Sequence, residues 1–504
     1  MRDPAEKKLI IIGAGIAGLA AGCYARMNGY QATIFELHDM PGGLCTAWER
    51  KGYVFDGCIH YLFGSGEGQP FNQMWQELGA VQNHPMINHT EYQRITDGDH
   101  TLIVYSDPDR LQAHLLELSP ADRALINQFC DGIRQFTRFD MSAMYRKPRT
   151  LMSGLDWRDF GLAMLPFLAP MQKWASLSAG EFAARFKHPF LRRALGHIFS
   201  WEEAPVMMGM SLLAYMHTQN AGFPAGGSLA FARAIEKRFL DLGGQIHYKA
   251  QVEKILVEAG KAVGVRLYND EIHRADVVIS ACDGRGTIFD MLGGEFTDKR
   301  IRRMYDGHLP IHSMMQISLG VNRDLSSSPH WVTYLLPEPI LVAGEPRSEI
   351  GVKHYCFDPS LAPAGKSVVE LIIRTQYTYW QRIYGRRPYD EEQRQVSGII
   401  RDHLESWHTG INADIECVDE ATPLSYERYT GNWMGSTCGW LMTKETMRML
   451  INGLPKTLPG LGNFYMAGQW VEPGGSVPLA AASGKNAIQL ICAADERDFI
   501  TTLP

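Results

Sequence analysis

The sequence predicts an α/β fold: a Rossmann-like dinucleotide-binding layer written at both ends of the chain, with an α+β domain inserted between its pieces. Three observations carry this. A short apolar strand runs into a glycine triplet and a helix at 9–29. A second strand–glycine–helix passage closes the chain at 463–494. Between them lies mixed helical and strand-like sequence, and 504 residues are too many for one ordinary core.

In chain order, LIII at 9–12 is the continuous apolar run of a strand buried on both faces. GAGIAG follows, then a small-residue helix closed by Gly29, then the strand QATIFE ending at Glu36. Residues 70–220 read mostly helical, rich in Met and aromatics, with breaks at Pro120, Pro148, Pro166 and Pro189. Residues 224–244 read as a turn, a helix and its glycine stop, and 246–283 as several strands ending in DVVIS. From 301 to about 455 strand-like runs such as MMQISLGV and SVVELIIRT mix with a helix near 390–407. NFYMAGQW then reads as a buried strand and VPLAAASGKNAIQLICAA as a helix. The expected partition is a discontinuous nucleotide domain (1–69, 221–300 and 455–504) and a substrate domain with a helical cap (70–220 and 301–454).

Gly13, Gly15 and Gly18 form G-x-G-x-x-G between strand and helix. The first allows the tight turn, the second lets backbone approach a pyrophosphate, and the third lets helix pack on sheet. Ala17 lies inside the same turn. Glu36, at the end of the next strand, can accept both ribose hydroxyls, and its charge repels a 2′-phosphate. NAD and FAD share this unit. Gly42 and Gly43, followed by Leu44, add side-chain-free amides near the same phosphates, which a simple NAD domain does not need. Gly468, Gly475 and a helix starting near Val477 would aim amides and a positive dipole end at a flavin pyrimidine ring. FAD is therefore the expected cofactor, on a layer of the glutathione-reductase type.

At these residues the chain resembles the phytoene desaturase, carotenoid isomerase and retinol saturase family of flavoproteins. PGGLCTAWERKGYVFDGCIHYLFG (41–64) is similar to its glycine pair and following strand, and 463–488 to its C-terminal flavin signature. Residues 224–255 resemble its middle segment, in which Val252 would touch the adenosine half of FAD through its backbone. The Ile59-His60-Tyr61 triplet looks most like retinol saturases. Gln469-Trp470 depart from the pattern, since many relatives carry an acidic residue after the glycine. The resemblance implies non-covalent FAD, although Cys45, Cys58 and His60 lie nearby in sequence. It also implies a long apolar polyene or isoprenoid substrate, changed at a C–C unit by desaturation, saturation or isomerisation.

The expected catalytic candidates are His60 and Tyr61, beside the isoalloxazine, and Glu202. His60 can steer a proton or wall the ring. Glu202 and Glu203 are either a solvated helix face or a buried carboxylate in a substrate tunnel. Met207, Met208, Met210 and Met216 suit a core or the wall of a flexible apolar substrate. Trp433, Trp440 and Trp470 keep open an amine oxidase with an aromatic cage facing the flavin. A non-redox flavoprotein such as a mutase is the other alternative. No metal spacing or Ser-His-Asp order stands out, and hydride transfer to a flavin needs alignment and dryness more than side-chain acids.

A net charge of −6 with no long basic run argues against a nucleic-acid partner. The densest basic cluster, DKRIRR at 298–303, reads as a solvated helix face. Nine scattered cysteines without paired spacing fit a reducing, cytoplasmic compartment, and MRDPAEKK runs straight into a strand without a secretory signal. Phe160–Pro170 is apolar but too short to span a bilayer, and with Trp157 and Trp174 it suggests a peripheral membrane surface. No second strand–glycine–helix unit for NAD(P)H is evident: Gly222, Gly226 and Gly227 lack a leading buried strand in the sequence pattern.

Overall fold

Five parallel strands form the sheet that carries the glycine turns. In spatial order they are Gln245–His247, Gln31–Phe35, Lys8–Ile12, Val277–Ser280 and Phe464–Met466. Numbered along the chain, that order is 3-2-1-4-5. It reverses beside the first strand, and open α/β sheets bind ligands outside the carboxyl ends of their strands at such a reversal. The computed structural model describes residues 7–82, 84–198, 201–447, 449 and 454–504. The MRDPAE start, and residues 450–453 just before the expected C-terminal piece, lie outside the described residues.

Leu9, Ile10, Ile11 and Ile12 are all buried, as a strand covered on both faces requires. The helix Ile16–Met27 packs along the final helix, Val477–Ala494. A Cβ on Gly484 would stand 2.3 Å from the carbonyl oxygen of Ala17, so only glycine permits this approach. An antiparallel three-stranded sheet (Val252–Glu258, Lys261–Leu267, Ile272–Arg274) precedes the fourth strand.

The second large sheet has seven strands, in the order Ile415–Ala421, Met314–Val321, Ser367–Arg374, Glu345–His354, Trp331–Val342, Glu91–Thr96 and Thr101–Tyr105. The last two lie inside 70–220, which is otherwise mostly helical as expected. EYQRIT and TLIVY form a hairpin whose Leu102 and Val104 alternate inward, and helices dominate only from Pro108 onward. A strand also leads into the Gly226 turn: Ala221–Pro224 is buried throughout, against the sequence reading. It pairs antiparallel with Leu62–Phe63 and Met86–Ile87, outside the parallel sheet, where a Pro is tolerated at a strand end.

The Phe160–Pro170 run is split between helices Gly154–Met164 and Leu168–Ala175. Leu155, Trp157, Leu162, Leu165 and Leu168 project outward with 45–65% of their surface exposed. Trp174 does not join them. It is buried edge-on against Phe182, because it faces the cap's own core. Among the described residues no helix is long and apolar enough to cross a membrane. The basic residues at 299–303 face solvent, except for the partly covered Ile301 between them.

Candidate active site

A cleft of about 130 Å³ opens where the first, fourth and fifth strands of the parallel sheet end. Gly13, Gly15, Ala17 and Glu36 line it from the first β-turn-α-β unit, and Gly42, Gly43 and Leu44 from the following turn. Gly468, Gly475 and Val477 line it from the C-terminal passage. Ten of the twelve expected cofactor residues thus converge on one space from opposite ends of the chain.

The three glycines of the first turn divide by what demands them. A Cβ on Gly18 would stand 2.0 Å from the carbonyl oxygen of Gly13, so Gly18 serves packing and does not face the cleft. Gly15 is different. Its backbone (φ −65°, ψ 172°) suits any residue, and a Cβ would meet nothing nearer than Gly42 O at 3.8 Å. Nothing in the protein requires glycine there, whereas a ligand pressed against the backbone does. Gly42 holds φ +108°, and its N–H donates to the Ala14 carbonyl at 2.9 Å, fixing the second turn against the first.

Glu36 is buried at its strand end. Its Oε2 accepts from the Ala14 N–H at 2.6 Å and its Oε1 from the His38 N–H at 2.9 Å. Burial pushes this carboxyl up, and those amides work against the shift. Val252 does not line the cleft. It sits in the neighbouring sheet, two residues past Ala250, whose N–H donates to the Glu36 carbonyl at 2.8 Å.

The departure at Gln469-Trp470 has a local answer. Asn432 Oδ1 accepts from Gln469 Nε2 at 3.2 Å and from the Trp470 indole N–H at 3.3 Å, and all three residues line the cleft. Sequence reasoning missed Asn432 and Thr437 as cleft residues, and their only signal is the glycine-bounded stretch 431–439. Trp433, Trp440 and Trp470 do not make a cage. They gather around Tyr305 with ring centroids 5.2–6.0 Å away, and Trp440 is wholly buried. These three tryptophans pack on Tyr305 and one another, and of them Trp470 alone lines the cleft.

Beyond Cys58, the last of this segment to line the cleft, Ile59, His60 and Tyr61 line a second, smaller and more enclosed cavity of about 20 Å³. Its other walls include Met216, Phe223, Trp331 and Phe357. Of the methionines, Met207, Met210 and Met216 are buried and Met208 partly so, and only Met216 reaches this cavity. Burial holds the His60 imidazole well below its usual range and lifts the Tyr61 phenol to about 12. Both are neutral near pH 7. Glu202 is corrected: its side chain is 60% exposed, 3.7 Å from His197, and lines neither space. Glu203 pairs with Arg374 at 3.2 Å. The Trp201-Glu202-Glu203 turn lies outside the apolar Val206–His217 helix, which is why the carboxylates reach solvent.

The Gly226 turn, although a strand leads to it, is filled by protein. Asp358 accepts from the Gly226 N–H at 2.7 Å, and Asp56 from the Ser228 N–H at 2.6 Å and the Ser228 hydroxyl at 2.7 Å. Two carboxylates occupy the position a phosphate would take at this helix start.

A doubly built cleft at the reversal of a parallel sheet, set beside a cavity of the seven-stranded sheet, is the arrangement of a dinucleotide-binding fold. Residues 11–78 match the family model of an NAD(P)-binding Rossmann-like domain. The chain is 25% identical over 517 residues to prolycopene isomerase 2, chloroplastic, of an Oncidium hybrid cultivar, covering 96% of this chain and 83% of that protein. It is 23% identical over 515 residues to phytoene desaturase (lycopene-forming) of Pseudescherichia vulneris, covering 96% and 99%. The resemblance carried by residues 41–64, 224–255 and 463–488 therefore extends along nearly the whole chain. Among solved structures, cyclohexylamine oxidase from Brevibacterium oxydans shares the fold, with a TM-score of 0.60 at 12% identity over 97% of this chain and 100% of that one.

Proposed function

We propose that this protein is an FAD-dependent oxidoreductase that changes a C–C unit of a long apolar polyene or isoprenoid by desaturation, saturation or isomerisation. FAD is bound non-covalently by a discontinuous domain (1–69, 221–300 and 455–504), and the substrate by 70–220 and 301–454. The observation that carries this reading is the continuity of one segment, Cys58 to Tyr61, from a nucleotide cleft into a cavity walled mainly by aromatic and apolar side chains. Bound in the cleft, FAD supplies a two-electron carrier able to accept or donate hydride. The protein contributes the rest. Gly13, Gly15, Gly42 and Gly43 bring backbone to the phosphates, and Glu36 holds a ribose. The start of the Val477–Ala494 helix points positive charge into the cleft. His60 and Tyr61, neutral and buried, wall the substrate and keep water out.

The Leu155–Leu168 face offers an entry from a membrane. Five large apolar side chains on short helices suit shallow insertion at a lipid surface. With the Gly226 turn filled by carboxylates, no second glycine turn among the described residues is open to NAD(P)H, and electrons exchange with the substrate, oxygen or a quinone. Anaerobic stopped-flow spectra test this directly. An apolar polyene or isoprenoid should bleach the flavin faster than NADH or NADPH, and rapid, saturable bleaching by NADPH alone refutes the assignment.

A further inference from the structure

The cavity beyond Cys58 is apolar in its walls but not in its contents. Lys353 lines it with 6% of its surface exposed, and among the described residues no hydrogen bond or ion pair reaches its ammonium. Its Nζ lies 4.2 Å over the Trp331 ring and 5.9 Å from the Tyr355 ring centre. One more lining residue carries an orphaned polar atom, His60 Nδ1, which is buried without a hydrogen-bond partner, while the Tyr355 hydroxyl is set against the Glu370 carboxyl. His89 and His330 complete the polar set, stacked ring on ring at 3.7 Å. Buried polar groups in folded proteins are almost always hydrogen-bonded, so a concentration of orphans around one cavity calls for a polar ligand group. A pure hydrocarbon supplies none.

The charges facing Lys353 do not account for it. Asp56 is already satisfied by the Ser228 N–H and hydroxyl and by the Cys58 N–H, at 2.6–3.0 Å. Glu370, directly across the strand pair from Lys353, accepts from the Asp56 N–H at 2.9 Å through one oxygen, while Oε2 has no partner. Burial, with Asp56 nearby, holds the Glu370 carboxyl well above the usual range, and Lys353 works against that shift. His60 and His89 are held low by burial and by Lys353, and His330 by burial, His89 and Lys353, which leaves all three neutral. Lys353 is the one amine lining the cavity, and with burial lowering it to about 7 it carries its full charge only below neutrality.

Deepening the function proposed above, we infer that the substrate is an isoprenoid or polyene acid, whose carboxylate is held in this cavity by Lys353, with His60 and Tyr355 as its neighbours, and whose apolar chain passes His60 toward the cleft. Cys58 lines the cleft and Ile59 and His60 line the cavity, so the two spaces adjoin along one short segment of chain.

The test uses the flavin-loaded protein and three C20 polyenes of one skeleton: carboxylic acid, alcohol and hydrocarbon. Binding is read by loss of tryptophan emission through energy transfer to the polyene. At pH 6.5 the acid should bind at least tenfold tighter than the hydrocarbon. Burial lowers the Lys353 ammonium to about 7, with Glu370, Asp56 and Cys58 opposing the shift, so this preference should shrink as pH rises from 7 to 9 while the acid stays ionised. Lys353→Met should abolish the preference yet bind the hydrocarbon as the wild type does, with flavin content reporting an intact fold. If that variant misfolds, the wild-type pH dependence decides alone. Equal binding of acid and hydrocarbon, or a preference that ignores pH, overturns the inference and leaves the polyene reading intact. Binding of none of the three overturns both.

Discussion

Replacing Gly15 with valine separates cofactor binding from folding. The backbone at Gly15 is acceptable to any residue, and its Cβ position is open to 3.8 Å, so the apoprotein should lose no more than about 0.5 kcal/mol. Gly18→Ala is the contrasting control, because its Cβ would stand 2.0 Å from a backbone oxygen and should destabilise by roughly 1–3 kcal/mol. Binding behaves in the opposite way. The first-turn amides of the Ile16–Met27 helix have no helical carbonyl ahead of them and are free to meet a phosphate. A branched side chain at Gly15 holds the pyrophosphate off. Loss of two charge-assisted hydrogen bonds at about 1.5–3 kcal/mol each weakens FAD by roughly 10²–10⁴-fold. The assay pairs thermal melting of the two apoproteins with FAD titration followed by flavin fluorescence. A Gly15→Val protein that binds FAD with wild-type affinity refutes the placement of the phosphate turn. A melting point lowered by many degrees refutes the claim that nothing in the protein needs this glycine.

Acid precipitation should release the yellow colour into the supernatant, since Cys45 is wholly buried with its thiol pushed up by Cys58 and by burial, a poor nucleophile for a flavin link. Colour in the pellet contradicts this. Liposome flotation should enrich the protein at the lipid layer, and Leu162→Ser with Leu165→Ser should reduce enrichment about tenfold or more at roughly 25 cal/mol per Å² of apolar surface withdrawn; equal flotation rules out this face. Stability should carry a signature of Lys353, whose folded pKa of about 7 lies below the usual 10.5. Between those values the unfolded chain binds a proton that the folded chain lacks. Wild-type stability relative to Lys353→Met should therefore rise from pH 7 to 10, by at most roughly 3–5 kcal/mol, with the full penalty present below pH 7. Urea midpoints at pH 6.5, 8 and 9.5 read this, and a constant difference means the ammonium is not desolvated.

The nucleotide layer was legible because its signals are local and redundant. A four-residue apolar run, glycines at fixed offsets and an eighteen-residue helix pattern each name their own structure, and the helix bounds Val477–Ala494 match the sequence reading. The hairpin at 91–105 was lost inside a helix-rich stretch although TLIVY alternates, because its pairing partner, Trp331–Val342, lies more than 200 residues away. Lys353 was invisible for a similar reason. A lysine in GVKHY reads as a solvent-facing strand residue, and only Glu370 opposite and Trp331 beneath its ammonium reveal burial. Glu202 takes the first of its two readings, a solvated carboxylate, but on a turn before the helix begins rather than on a helix face.

The 3-2-1-4-5 strand order also sets a timetable for biosynthesis. The sheet's edge strand, Phe464–Met466, leaves the ribosome some 430 residues after Gln31–Phe35, a delay of roughly 20–90 s at typical elongation rates. Until then the Ile16–Met27 helix lacks its partner Val477–Ala494, and seven of the 23 residues that line the cleft do not exist. Cofactor capture is therefore a post-translational event, and the nascent chain must keep its apolar elements, such as Val206–His217, from aggregating in the interval. A ribosome stalled before residue 464 would display a folded-looking amino-terminal unit with no capacity to take up flavin, so cofactor loading reports completion of the chain.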